Sequence, residues 1–205
     1  GACMRIGVYG GSFDPVHCGH ITPVIEAQRS LQLDRVVYLP TATPPHKSGR
    51  TMAPPHARFA MVELALLDHP DLVVSPFELT LERPAYTVDS VRHFSFVYPQ
   101  AELFLIIGGD AFSSLDTWDR WLELIESSAF AILVRKGWEM ARVKEGLHPA
   151  LAELLQNGRA VPVENDPVNV SSTEMRRLLA RDELISPELM PALVVRYAKK
   201  YSLYS

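Results

Sequence analysis

Two kinds of stretch alternate along this chain. Short runs with few polar residues occupy Met4–Tyr9, Arg35–Leu39, Leu72–Ser75, Leu103–Ile107, Phe130–Val134 and Ala160–Val163. Such runs predict strands of a parallel sheet covered on both faces. Between them, apolar residues recur at helical spacing over Gly19–Leu31, Pro55–Leu67, Val88–Tyr98, Trp118–Glu126 and Met140–Leu155, the last interrupted at Pro149. Two further helices are expected over Thr173–Ala180 and Pro187–Lys200. Ser171 with Glu174 spells a capping box before the first of these, and Pro187 suits the first turn of the second. Six strands separated by helices predict right-handed crossovers and an α/β, doubly wound, mostly parallel six-stranded sheet with helices on both faces. A C-terminal helical segment, 165–205, follows. With no repeat, low-complexity tract or linker, residues 1–205 read as a single domain. Gly1-Ala2-Cys3 before Met4 reads as a cloning scar and is set aside.

Ligands of open parallel sheets bind beyond the carboxyl ends of the strands, so the loops there come next. After the first strand runs Gly10-Gly11-Ser12-Phe13-Asp14-Pro15-Val16-His17-Cys18-Gly19-His20. Paired glycines let the backbone turn sharply and approach a ligand closely. On a helix opening here, His17 and His20 would share one face, with Gly19 leaving room between them for a base or phosphate. The helix start would attract an anion, giving an anion pocket with two imidazole donors. Each feature alone also has a plain reading: a turn for the glycines, a packed or solvated position for a histidine. The second informative loop is Val170-Ser171-Ser172-Thr173-Glu174-Met175-Arg176-Arg177. Three hydroxyls cap a helix, and Arg176 follows one turn later. That makes either a second anion site or a plain N-cap with a solvated basic face.

Composition narrows the chemistry without naming it. Lys and Arg number 20 against 24 Asp and Glu, a net charge of −4 with the signs interspersed. This argues against a surface that coats nucleic acid, although a small anion needs only local cations. Apolar runs such as Leu103–Ile107 and Ala129–Val134 fall far short of the ~20 residues of a membrane span. No signal peptide is evident, and two cysteines, Cys3 and Cys18, form no disulfide framework, so a cytoplasmic location is expected. His17 and His20 lack the i, i+4 spacing of a zinc helix, and no side-chain metal site is expected. The chain has no Gly-x-x-x-x-Gly-Lys-Ser/Thr loop, no Gly-x-Gly-x-x-Gly after the first strand and no Gly-x-Ser-x-Gly elbow.

Gly10–His20 resembles the glycine-glycine-Ser/Thr-Phe-Asp-Pro-x-His-x-Gly-His signature of the nucleotidyltransferase superfamily, and Ser171–Arg176 resembles its Ser-Ser-Thr-x-x-Arg motif. Within it the chain is most similar to the bacterial nicotinate-mononucleotide adenylyltransferases, from Met4 to about Tyr201. Pro44-Pro45-His46-Lys47, Tyr86-Thr87, Gly108-Gly109-Asp110 and Trp118 point to that subfamily. Ser12 stands where threonine is commoner, Ala85 where serine is usual and Lys136 where proline is usual. The fold implied is Rossmann-like.

The resemblance implies adenylyl transfer from ATP to nicotinate mononucleotide, giving nicotinate adenine dinucleotide and pyrophosphate. It places ATP on Gly10, Gly11, Ser12, Phe13, His17, His20, Gly108, Asp110, Ser171, Ser172, Thr173 and Arg176, with His17, His20 and Arg176 carrying the catalysis. Nicotinate mononucleotide is expected on Ser12, Lys47, Tyr86, Thr87, Asp110, Trp118 and Arg135. Mg²⁺ is expected to arrive on the triphosphate, with Asp110 orienting it through water, holding a ribose hydroxyl, or merely capping a helix. Lys47 has the alternative of an idle surface lysine, and Trp118 and Trp121 that of core residues on one helix face. The rivals are a related adenylyltransferase acting on nicotinamide mononucleotide or phosphopantetheine, and a module that binds ATP without turnover. Neither nucleic acid nor membrane is expected as a partner.

Overall fold

The computed structural model describes residues 3–42 and 51–205. The six strands form where the apolar runs lie: β1 (Met4–Gly11), β2 (Arg35–Pro40), β3 (Leu72–Val74), β4 (Ala101–Gly108), β5 (Ala129–Arg135) and β6 (Ala160–Asn165). They make one sheet in the order β3-β2-β1-β4-β5-β6, the doubly wound α/β arrangement expected from the sequence. Parallel pairing sets Ile6 beside Leu103, Ile106 beside Ala131 and Leu133 beside Val163. β1 runs two residues beyond the expected end, so Gly10 and Gly11 belong to the strand.

The connecting helices are α1 (Thr22–Leu31), α2 (Pro55–Ala65), α3 (Thr87–Val97), α4 (Gly109–Ser113), α5 (Trp121–Ser127), α6 (Glu139–Lys144), α7 (Pro149–Gln156), α8 (Ser172–Ala180) and α9 (Ala192–Lys200). Three of them start later than the spacing predicts, each for a local reason. Cys18–His20 is a 3-10 turn rather than the opening of α1, because histidine side chains there occupy backbone amides. α5 begins at Trp121 instead of Trp118 because Arg120 sits in the left-handed region at φ 50°. α9 begins at Ala192 rather than at Pro187; Pro191 pulls the residue before it out of helical geometry and caps the helix instead. The break expected at Pro149 separates α6 from α7.

By contact density the chain forms two compact units, each assembled from three segments. The first takes residues up to Tyr9, then Pro23–Val37 and Ala85–Pro167. Its core stacks Ile6, Leu105, Ile106, Phe130 and Ile132 from the sheet with Phe112, Leu124 and Leu151 from α4, α5 and α7. Burying each such side chain contributes roughly 1.5–3 kcal/mol. The second unit takes Gly10–Thr22, Tyr38–Pro84 and Val168–Ser205. In it α2 packs against α9 and β3, and α8 against α9, around Tyr38, Met61, Met175, Met190 and Val194. Among the described residues no helix is long and apolar enough to cross a membrane.

Candidate active site

Both sequence motifs that predicted an anion pocket fall in the second unit, and the structure brings them into contact. The Ser172 hydroxyl donates to the Pro15 carbonyl at 2.9 Å, and Arg176 Nη1 donates to the Asp14 carbonyl at 2.8 Å. A Cβ on Gly19 would come within 3.1 Å of Val170. The segments 14–19 and 170–176 therefore pack directly against each other.

The histidines differ from expectation in an informative way. They do not share a helix face. His17 is the N-cap of the 3-10 turn, its Nδ1 accepting the Gly19 amide at 3.0 Å. His20 reaches back so that its Nδ1 accepts the His17 amide at 3.1 Å. The rings stack with centroids 3.8 Å apart. With each Nδ1 accepting, the neutral tautomer carries its proton on Nε2, so both rings present a donor there. Burial holds the His17 imidazole down to about 4; burial together with the neighbouring His17 takes His20 down to about 3. Both are neutral near pH 7.

The turn corrects two further expectations. Its amides are taken: His17 and Gly19 by imidazoles, Cys18 by the Leu189 carbonyl and His20 by the His17 carbonyl. It is thus not an amide-rich helix tip. Gly19 is needed for a reason other than room for a ligand. A Cβ there would sit 2.8 Å from the His17 ring, which lies flat against the glycine. Phe13, in the left-handed region at φ 48°, buries its ring edge-on to His20 at 5.1 Å and against Tyr38 at 5.7 Å. Its ring therefore supports the histidine. Gly10 meets only ordinary contact, the Leu39 carbonyl at 3.7 Å, so packing does not demand a glycine there.

The first turn of α8 supplies amides with no intrahelical partner, which the 3-10 turn does not. Ser171 caps it, accepting the Glu174 amide at 3.1 Å. Glu174 does not complete the expected capping box; its carboxylate pairs with Arg177. The amides of Ser172 and Thr173 lie in the first turn, where none has an intrahelical partner. Ser171 and Thr173 are exposed, and Arg176 is half-buried and donates to Thr173 Oγ1 at 3.0 Å. Hydroxyls, first-turn amides and a guanidinium thus occur together at one place.

Of the expected acceptor residues, Tyr86, Thr87, Asp110, Trp118 and Arg135 lie in the first unit. Ala85, Tyr86, Thr87, Trp118 and Asp119 line an open cleft of about 210 Å³, suited to a single ring. Thr87 opens α3, so amides without intrahelical partners border the cleft. Trp118 is extended, not helical, while Trp121 packs edge-on against His148 at 4.9 Å; the shared helix face expected for these two tryptophans is absent. Asp110 is exposed at the second position of α4, and Gly108, not Asp110, is the N-cap. A Cβ on Gly108 would meet nothing within 4 Å among the described residues. Arg135 is exposed at the end of β5, its amide donating to Glu139 Oε2 at 2.6 Å. Ser12 is half-buried in the second unit, where its carbonyl accepts from Arg58 at 2.7 Å. Lys47, with Pro44–His46, lies outside the described residues. Among the described residues no three His, Cys, Asp or Glu are grouped to hold a metal.

Several residues that shape the site escaped the sequence reading. Arg58, fully buried on α2, donates to the carbonyls of Ser12, Thr41 and Ala53. Tyr38 donates to the His20 carbonyl at 2.6 Å. Arg120 bridges Asp89 on α3 and Asp119 beside Trp118, bracing the cleft that Trp118 lines. Arg58 left one visible signal, an arginine on the otherwise apolar stripe Ala57, Met61, Val62 and Ala65.

Comparison with known proteins identifies the family. Residues 8–178 match the family model described as cytidylyltransferase-like. A protein of Thermus thermophilus, described as a probable nicotinate-nucleotide adenylyltransferase, is 38% identical over 98% of this chain and its own full length. One of a Shewanella species, with the same description, is 36% identical over 98% of this chain and 99% of its own. Among solved structures, the Plasmodium falciparum nicotinic acid mononucleotide adenylyltransferase complexed with APC has a TM-score of 0.74 at 17% identity, covering 98% of this chain and 97% of that one. The same enzyme complexed with NaAD has a TM-score of 0.73 at 18% identity, with the same coverage. At that identity the structural likeness speaks for the fold; full-length identity above 35% speaks for the family. This chain belongs to the cytidylyltransferase-like family and, within it, to the nicotinate-nucleotide adenylyltransferases.

Proposed function

We propose that the second unit binds the triphosphate of ATP and stabilises the departing pyrophosphate, while the first unit recognises the nicotinate ring of the acceptor. The reaction of the family transfers the adenylyl group of ATP to nicotinate mononucleotide, giving nicotinate adenine dinucleotide and pyrophosphate. A phosphate oxygen of the mononucleotide attacks the α-phosphorus, and the bond to the β-phosphate oxygen breaks. The nucleophile belongs to the substrate, so the protein's task is to position the reactants and to neutralise charge on the leaving group.

The observation that carries this reading is the paired imidazole geometry. Two neutral rings whose Nδ1 atoms are already engaged offer two Nε2–H donors side by side. Such donors suit a non-bridging phosphate oxygen that gains charge in the transition state, with no proton transfer required. Arg176, Ser171–Thr173 and the first-turn amides of α8 are assigned to the β- and γ-phosphates. Gly10 and Gly11, with the backbone of Ser12 and Phe13, are assigned to the nucleotide itself. The acceptor carboxylate is assigned to the amides at Thr87, and its ring to Trp118 by stacking. Tyr86, Arg135 and Ser12 are placed with the acceptor, as is Lys47, which rests on sequence alone. Mg²⁺, when bound with ATP, offsets charge on the phosphates; Asp110, freed from capping by Gly108, is the carboxylate assigned to its water shell or to a ribose hydroxyl.

The test is pyrophosphate release from ATP and Mg²⁺ with nicotinate mononucleotide, nicotinamide mononucleotide or phosphopantetheine offered in turn. Release is expected with the first at a rate well above the other two. Preferred use of phosphopantetheine, or ATP binding without release for any acceptor, contradicts the assignment.

A further inference from the structure

The chain from Ser12 to His20, which carries both imidazoles, is held by Arg176, assigned above to the phosphates, and by Arg58 and Tyr204, which have no ligand atom in that assignment. Asp14 is 1% exposed. Its Oδ1 accepts the Ala53 amide at 3.1 Å and the hydroxyl of Tyr204 at 2.6 Å. Its carbonyl accepts from Arg176, and Arg58 binds the carbonyl of the adjacent Ser12 at 2.7 Å. Tyr204 thus spans 190 positions to reach a loop residue. Its placement is built rather than incidental. The Leu203 amide bonds back to Ala198 of α9 at 2.9 Å, and Ser202 and Tyr204 both hold left-handed φ, 50° and 68°. Non-glycine residues stay in that region only where their surroundings over-determine them.

We propose that Tyr204 is a positioning residue for the phosphate-binding loop: its hydroxyl fixes the buried Asp14 carboxylate and, through it, the placement of His17 and His20. The proposal rests on the function assigned above. A buried carboxylate that loses a donor is destabilised in place. A phenol supplies that donor without adding charge beside Arg58 and Arg176, which already face Asp14. Burial and the bond to Asp14 both push the Tyr204 phenol well above its ordinary pKa, so it donates throughout the neutral range.

The test is Tyr204→Phe, which keeps the ring and removes only the oxygen. With both substrates saturating, kcat is expected to fall about tenfold or more, while KM for nicotinate mononucleotide stays within about twofold. In parallel, NMR of the imidazoles without substrate should show the His17 and His20 resonances shifted and their titration moved toward ordinary histidine. A variant with only a lowered melting temperature, unchanged kcat and an unchanged imidazole spectrum overturns the proposal and leaves Tyr204 a stabilising residue. A wild-type protein that releases no pyrophosphate contradicts the assigned function instead, and the imidazole spectra still decide the role of Tyr204. Should Tyr204→Phe alone fold poorly, the cycle with Asp14→Asn decides. Adding Tyr204→Phe to Asp14→Asn is expected to cost nothing further, whereas fully additive losses contradict the coupling.

Discussion

The chemistry of this site begins with which nitrogen of each imidazole is occupied. Because His17 and His20 spend Nδ1 on backbone amides, burial fixes them as neutral donors, and their stacked rings make a second charge on the pair still less favourable. The same arrangement has a signature in stability. In the unfolded chain a histidine titrates near 6.5. Folded, His17 stays neutral to about 4 and His20 to about 3. Between those values the unfolded chain binds more protons, so stability rises with pH there and is lost on acidification from about 6.5 downward. The slope is up to ~1.4 kcal/mol per pH unit for each histidine. Melting temperature is accordingly expected to drop between pH 7 and 4.5, and to drop much less in the His17→Gln, His20→Gln double variant. Equal slopes for the two proteins would show that the imidazoles are not held neutral by the fold.

At the scale of elements, the strands and most helices were legible because burial imposes a period on the sequence. β4 and β5 are nearly continuous apolar runs because helices leave them no polar face. What periodicity could not show is where a side chain captures the backbone. The turn Cys18–His20 interrupts a helical pattern through two imidazole–amide bonds, and Arg120 delays the start of another by adopting a left-handed conformation. Both interruptions fall at candidate ligand contacts. The second one leaves Trp118 extended on the wall of the cleft proposed for the acceptor rather than packed in a helix. Trp118→Ala is therefore expected to raise KM for nicotinate mononucleotide roughly tenfold, the scale of a lost base–aromatic stack, with KM for ATP little changed. An equal rise in both constants would mean that the tryptophan is structural.

At the scale of the molecule, the residues assigned to ATP come from opposite ends of the chain. The Ser172–Pro15 and Arg176–Asp14 bonds span 157 and 162 positions within the second unit. Two motifs, each ambiguous alone, pointed to one pocket only through their co-occurrence and the resemblance they carry; no local pattern could show that they touch. Arg58, Tyr38 and Tyr204 were missed for the same physical reason, since they act through long-range bonds to loop carbonyls and to a buried carboxylate. The account stands on the paired imidazoles as neutral donors to the reacting phosphates, and the most direct measurement is the turnover of His20→Ala. With circular dichroism unchanged, kcat for pyrophosphate release should fall by ~10²–10³, the usual loss for one preorganised donor. A folded His20→Ala protein within about fivefold of wild type would contradict it.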